Sequence, residues 1–88
     1  MNPAPETLPA WYEPAHVILD LDVAALMATG EHPLERVQAV FAVSQPGQIL
    51  ALTSPFRPEP LLEVFRSAGA QVWCGPQGEL HRTLIRKP

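Results

Sequence analysis

Two histidines, one cysteine and a pair of aspartates are the side chains in this sequence whose types and spacing could do chemistry. His32 stands in the run Glu31-His32-Pro33-Leu34-Glu35-Arg36. Proline is favoured in the first turn of a helix, where its missing N–H would have no partner anyway. The run therefore predicts a helix opening at Pro33 with His32 at the cap and Glu35 in the first turn, where a negative charge suits the helix dipole. An imidazole at that cap lies beside unpaired backbone N–H groups, a place that holds anions and opposes an imidazolium charge. His32, Pro33, Glu35 and Arg36 form the candidate ligand-binding set, for a small anionic ligand or a metal. A simple cap, or an imidazole facing water, accounts for the same residues.

Cys74 and His81 fall on one face of an expected hairpin, diagonal to each other. Thiolate plus imidazole is a soft-metal or redox pair. Two ligands alone do not make a site, and free cysteine is among the most buried residue types. His16 has no visible partner, and no convergence of His16, His32 and His81 on a metal is expected. Asp20 and Asp22 sit at i, i+2 on one strand face, as paired carboxylates do in some acid–base enzymes; a solvated polar face has the same pattern. The sequence contains no Gly-x-Gly-x-x-Gly, no Walker-type loop, no Gly-x-Ser-x-Gly and no His-Glu-x-x-His. It gives an enzymatic reading little to stand on, and no cofactor is expected.

The elements that must position these residues follow from periodicity. Residues 17–23 alternate, with Val17, Leu19, Leu21 and Val23 on one side and Ile18, Asp20 and Asp22 on the other, as a half-buried strand does. Residues 24–30 form a connection with at most one helical turn. Leu34, Val37, Val40 and Phe41 recur at helical spacing until Gln45-Pro46-Gly47 stops the helix. Residues 49–53 are a short apolar strand. A proline-rich connection feeds a second helix with Leu61, Phe65 and Ala68 on its apolar face. Strands over 71–74 and 80–86 close the chain, joined by Gly75-Pro76-Gln77-Gly78, with proline at the favoured second turn position.

In that hairpin Trp73, Leu80, Arg82, Leu84 and Arg86 share one face, and Val72, Cys74, His81, Thr83 and Ile85 share the other. Arginines do not sit easily under helices, so the second set faces the core. The order is βαβαββ, an α/β (α+β) two-layer sandwich: a four-stranded mixed sheet with two helices on one face and the other face partly open. On the open face, Trp73, Arg82, Leu84 and Arg86 make a candidate interaction surface for a protein partner or for self-association. Cover by Trp11 or Tyr12 from the N-terminal tail is the alternative use of that face.

Composition bounds the rest. The 88 residues suffice for one domain, read as a proline-rich tail over 1–15 and a single folded unit over 16–88. Six basic against nine acidic residues give a net charge of -3, without the positive footprint of a nucleic-acid binder. One cysteine excludes an internal disulfide and a Cys-x-x-Cys motif. No apolar run approaches the roughly 18–20 residues of a membrane span, and no secretory leader is evident. The expectation is a cytoplasmic protein that is not bound to membranes.

Element order, the Pro-opened first helix and the ending Leu84-Ile85-Arg86-Lys87 resemble the SirA/TusA-like sulfur carriers. Leu21-Asp22-Val23, Pro33-Leu34-Glu35-Arg36, Pro46-Gly47 and Pro60-Leu61 resemble, in series, a set of small bacterial domains of unknown function with that fold. The resemblance covers roughly residues 16–87 and implies the same two-layer sandwich. Sulfur carriers place a Cys-Pro-x-Pro motif at the start of the first helix; here that stretch reads His32-Pro33-Leu34-Glu35. A carrier needs a thiolate, which the helix dipole stabilises and which holds a persulfide. An imidazole cannot, and Cys74 falls on a strand. The resulting expectation is a non-catalytic binding or accessory domain that kept the fold and lost the thiol. A redox- or metal-linked accessory role through His32, or through Cys74 and His81, is the alternative.

Overall fold

Val17–Asp22 forms β1, and its carboxyl end is set by Asp22, whose Oδ1 accepts from the Ala25 N–H at 3.2 Å. That cap starts a short helix, α1 (Val23–Ala28), in a run of good helix formers. The computed structural model describes residues 8–88, so Pro3 and Pro5 of the proline-rich tail lie outside the described residues. After α1 come α2 (Pro33–Val43), β2 (Ile49–Ser54), α3 (Glu59–Ser67), β3 (Gln71–Gln77) and β4 (Leu80–Arg86). Among the described residues the chain is thus an α+β domain with a mixed sheet of four strands and three α-helices, one more than the periodicity predicts. Val23, expected to end the first strand, instead opens α1 and is buried.

The sheet order is β1-β2-β4-β3. β1 and β2 are parallel, joined by the α1–α2 crossover; β2–β4 and β4–β3 are antiparallel. One helix-side cluster gathers Leu21, Leu50, Leu52 and Ile85 from the sheet with Val23 and Leu26 of α1, Val37 of α2, and Leu61 and Phe65 of α3. All three helices therefore lie on the same sheet face. Phe41 of α2 meets Phe65 edge to face, with centroids 4.9 Å apart and an interplanar angle of 64°. Lys87 closes this end: its Nζ donates to the Phe41 carbonyl at 2.6 Å and lies 4.6 Å above the same residue's ring.

Two register features depart from simple alternation. Val17 pairs with Ile49 while Leu19 pairs with Leu50, so β1 spends two residues where β2 spends one. This bulge turns Val17 to the face away from the helices, where it packs beside Ile49, Ala51 and Leu84. The β3–β4 hairpin turns at Gly78-Glu79 and not over residues 75–78. Gln77 pairs with Leu80, and Trp73 lies opposite Leu84. Gly78, with φ +63°, takes the left-handed conformation at the first position of a two-residue loop. A loop at residues 76–77 would set Trp73 opposite Leu80; the observed partner, Leu84, lies four residues on, an even number, so every side chain keeps its expected face.

The second sheet face is covered at its centre and stays partly open around it, with Trp73, Arg82 and Arg86 half-buried and Asp20 exposed. Ile49, Ala51 and Leu84 are fully buried there, and Trp11, Tyr12, Val17 and Trp73 pack over them. The N-terminal segment reaches this position through a turn in which the Tyr12 N–H donates to the Pro9 carbonyl at 3.0 Å, followed by a 3-10 turn over Pro14–His16. Of the two uses the sequence allows for this face, the fold takes cover by Trp11 and Tyr12 at its centre.

Candidate functional site

The carboxyl ends of the parallel strands β1 and β2 deliver α1 and the 55–58 loop to the same edge of the molecule. In open α/β sheets that edge is where crevices form. The chain leaves α1 through a tight turn: Thr29 Oγ1 donates to the Leu26 carbonyl at 2.7 Å, and the Gly30 N–H to that of Met27 at 3.0 Å. It then enters α2 at Pro33, with His32 at the cap as expected. On the far side, Ser54 is buried and its Oγ donates to the Phe56 carbonyl at 2.6 Å, which fixes the loop that carries Phe56 and Pro58.

Between these segments lies a cleft of about 370 Å³. Val23 and Met27 of α1, Leu34 of α2, Phe56 and Pro58 of the loop, and Leu61 of α3 make it apolar, and residues 30–33 form one rim. Met27 and Phe56 are 50% and 47% exposed. Two large apolar side chains thus stand half in water at the mouth of an apolar hollow. The volume lies in the range of small-ligand pockets.

A second, polar hollow of about 360 Å³ adjoins it, lined by Gly30, Glu31, His32, Glu35 and Arg36. The two share Gly30, Glu31 and His32. His32 is exposed and its side chain makes no cap hydrogen bond; only its carbonyl takes part, accepting from the Arg36 N–H at 3.2 Å. The Arg36 guanidinium is drawn back to Glu31 Oε1 at 3.0 Å. Arg57 and Glu59, beside Pro58, form a second exposed ion pair. His32, Pro33, Glu35 and Arg36, the set proposed from the sequence, all line one hollow or the other. Sequence reasoning missed Met27, Phe56 and Pro58. The signal for Phe56 was a large aromatic isolated among prolines, with no apolar stripe to join; for Met27 there was none without α1.

The other candidates sit elsewhere. Cys74 and Thr83 are directly opposed, with Thr83 Oγ1 donating to Sγ at 3.4 Å. His81 lies opposite Pro76 on one side and Ser54 on the other. Among the described residues no group of three or more His, Cys, Asp and Glu could hold a metal. His16 is exposed in the 3-10 turn.

On the opposite sheet face, Leu84 is buried and Arg86 Nη1 donates to Gln71 Oε1 at 2.7 Å. Arg82 grips Asp20 with both terminal nitrogens, at 2.8 and 3.0 Å, and donates to Thr53 Oγ1 at 2.9 Å. These hydrogen bonds and the guanidinium charge hold the Asp20 carboxyl below its ordinary range, against a smaller opposing effect of burial. Arg82 is raised by the same pairing, with the Tyr12 phenol adding to it. The two aspartates do separate structural work: Asp20 holds Arg82, and Asp22 caps α1. The surface expected around Trp73, Arg82, Leu84 and Arg86 is thus largely spent within the fold.

No described helix is long and apolar enough to cross a membrane. Comparison with protein-family models, with curated proteins and with solved structures returned no match.

Proposed function

We propose that this chain is a non-catalytic binding domain of SirA/TusA-like fold that uses the cleft at the start of α2 as its site. The element order and the Pro33-opened helix support the fold assignment. In that reading His32 occupies the place of the carrier cysteine, and persulfide transfer is lost with the thiol. A single cysteine and no disulfide fit a cytoplasmic setting as part of the same proposal.

The observation that carries the reading is the pairing of an apolar cleft of about 370 Å³ with half-exposed Met27 and Phe56 at its mouth. The covered sheet face strengthens it. There the chain spends Trp11 and Tyr12 to hide apolar surface, whereas the cleft keeps its apolar walls facing water. Such surface is retained at a cost in solvation and is put to use when something fills it.

The test is titration of the full chain with a neutral apolar probe, 2-naphthalenemethanol, against the wild type and Phe56→Ala. Phe56 is in a loop at the mouth, so its truncation leaves the core intact. The expected result is saturable one-to-one binding that weakens about ten-fold in Phe56→Ala, equivalent to about 1.4 kcal/mol. Equal binding by the two proteins, or none by either, contradicts the assignment.

A further inference from the structure

We infer that the natural occupant of the cleft carries a positive charge beside its apolar part, and that Glu35 receives it. The inference rests on the proposed binding site and adds the chemical class of what enters it.

The charges around the two adjoining hollows do not balance. Glu31 and Arg36 pair at 3.0 Å, and Arg57 pairs with Glu59, so these four groups cancel. Glu35 lines the polar hollow and, among the described residues, takes part in no ion pair or side-chain hydrogen bond. It contributes a full negative charge. The opposing field is that of the α2 N-terminus, about half a positive charge. Pro33 at the first helical position also removes one of the N–H donors an anion would use there. The unpaired carboxylate outweighs the half-charge, and the balance beside the apolar walls is negative.

The shared rim sets the geometry. Gly30, Glu31 and His32 line both hollows, so a molecule whose apolar body lies against Met27, Leu34 and Phe56 places its polar end beside Glu35. An ammonium or guanidinium there gains a partner without displacing either existing ion pair. A carboxylate or phosphate there is opposed by the unpaired Glu35. The opposite preference, an anion on the α2 N-terminus, is the competing outcome.

Three probes with one apolar body decide it: 2-naphthalenemethanol, 2-naphthylmethylammonium and 2-naphthoate. They are titrated into the full chain at low salt and pH 8, above the ordinary imidazole range. The expected order is ammonium tightest and carboxylate weakest, with the ammonium favoured over the alcohol by about two- to five-fold. Glu35→Gln removes that advantage, read as the ratio of ammonium to alcohol affinity in the same protein. Glu63→Gln, on the exposed side of α3, leaves the advantage in place and controls for net charge. Binding of the alcohol with no ammonium advantage, or with the carboxylate tightest, overturns this inference and leaves the proposed site standing. Failure of all three probes to bind overturns both.

Discussion

Asp20 of β1 and Arg82 of β4 meet across the intervening strand in a two-pronged ion pair, with Thr53 of β2 accepting from the same guanidinium. The pair clamps three strands on the face away from the helices. Arg82 keeps 18% of its side-chain exposure and Asp20 keeps 60%. The arginine is therefore mostly withdrawn from water while the carboxylate remains wet, and screening limits what the pair contributes.

Asp20→Asn is expected to lower stability by no more than about 1 kcal/mol at neutral pH, because exposed pairs are worth little. The pH dependence has a definite sign. The folded-state value of Asp20 is below the ordinary aspartate value of about 3.9, chiefly through its hydrogen bonds from Arg82. Its contribution is complete above that ordinary value and is lost as the pH falls through the lower folded one. Urea unfolding from pH 7 to pH 3 should show a steeper acid loss in the wild type than in Asp20→Asn, with parallel curves between pH 5 and pH 7. A wild-type advantage that stays constant down to pH 3, or that grows as the pH falls, would contradict this.

How much of this was legible in the sequence depends on how far apart in the chain the determining residues lie. Val37, Leu61 and Phe65 could be read as core from helical spacing alone, and all three are buried. The two faces of the hairpin also came through, since side-chain alternation survives an even change of register. The turn itself did not. Pro76 looked like a turn residue, but it sits in β3, an edge strand, where a missing N–H breaks no ladder bond. The short helix α1 escaped because a single cap, Asp22, decides it against the continuing strand pattern. The cleft was visible only in part. His32 and Pro33 carry a local signal, whereas Met27, Phe56 and Leu61 become neighbours only when three separate segments pack.

The N-terminal segment is expected to be a structural part of the domain. Trp11→Ala strips a half-buried ring from the apolar row of Ile49, Ala51 and Leu84. Complete removal of a buried aromatic costs about 3–5 kcal/mol; for a half-buried one the expected loss is about 1–2 kcal/mol, read as a lower urea midpoint with little change in slope. Tyr12→Phe, which keeps the ring, should cost less. Wild-type stability in Trp11→Ala would show that the segment does not cover the sheet in solution.

Gly75 marks a close approach. A Cβ placed there would stand 2.6 Å from Cζ2 and 2.8 Å from Cη2 of Trp73, so the six-membered ring of the indole occupies the space beside the glycine of its own strand. Gly75→Ala forces the ring aside, at an expected cost of about 1–3 kcal/mol, the range for overpacking. The Trp73 fluorescence should shift with it. In the Trp73→Ala background the same alanine should cost much less, giving a coupling of about 1 kcal/mol or more in a double-mutant cycle. Simple additivity of the two changes would rule out the contact.

The central claim is that the cleft beside His32, and not the sheet face under Trp11, receives a ligand. The most direct measurement is a map of backbone amide shifts on the full chain as 2-naphthalenemethanol is added. The account predicts saturable shifts confined to Met27, residues 30–32 and 34–36, Phe56 and Leu61, with Ile49, Trp73 and Leu84 unmoved. Shifts centred on Ile49 and Leu84, or no saturable shift anywhere, would contradict it.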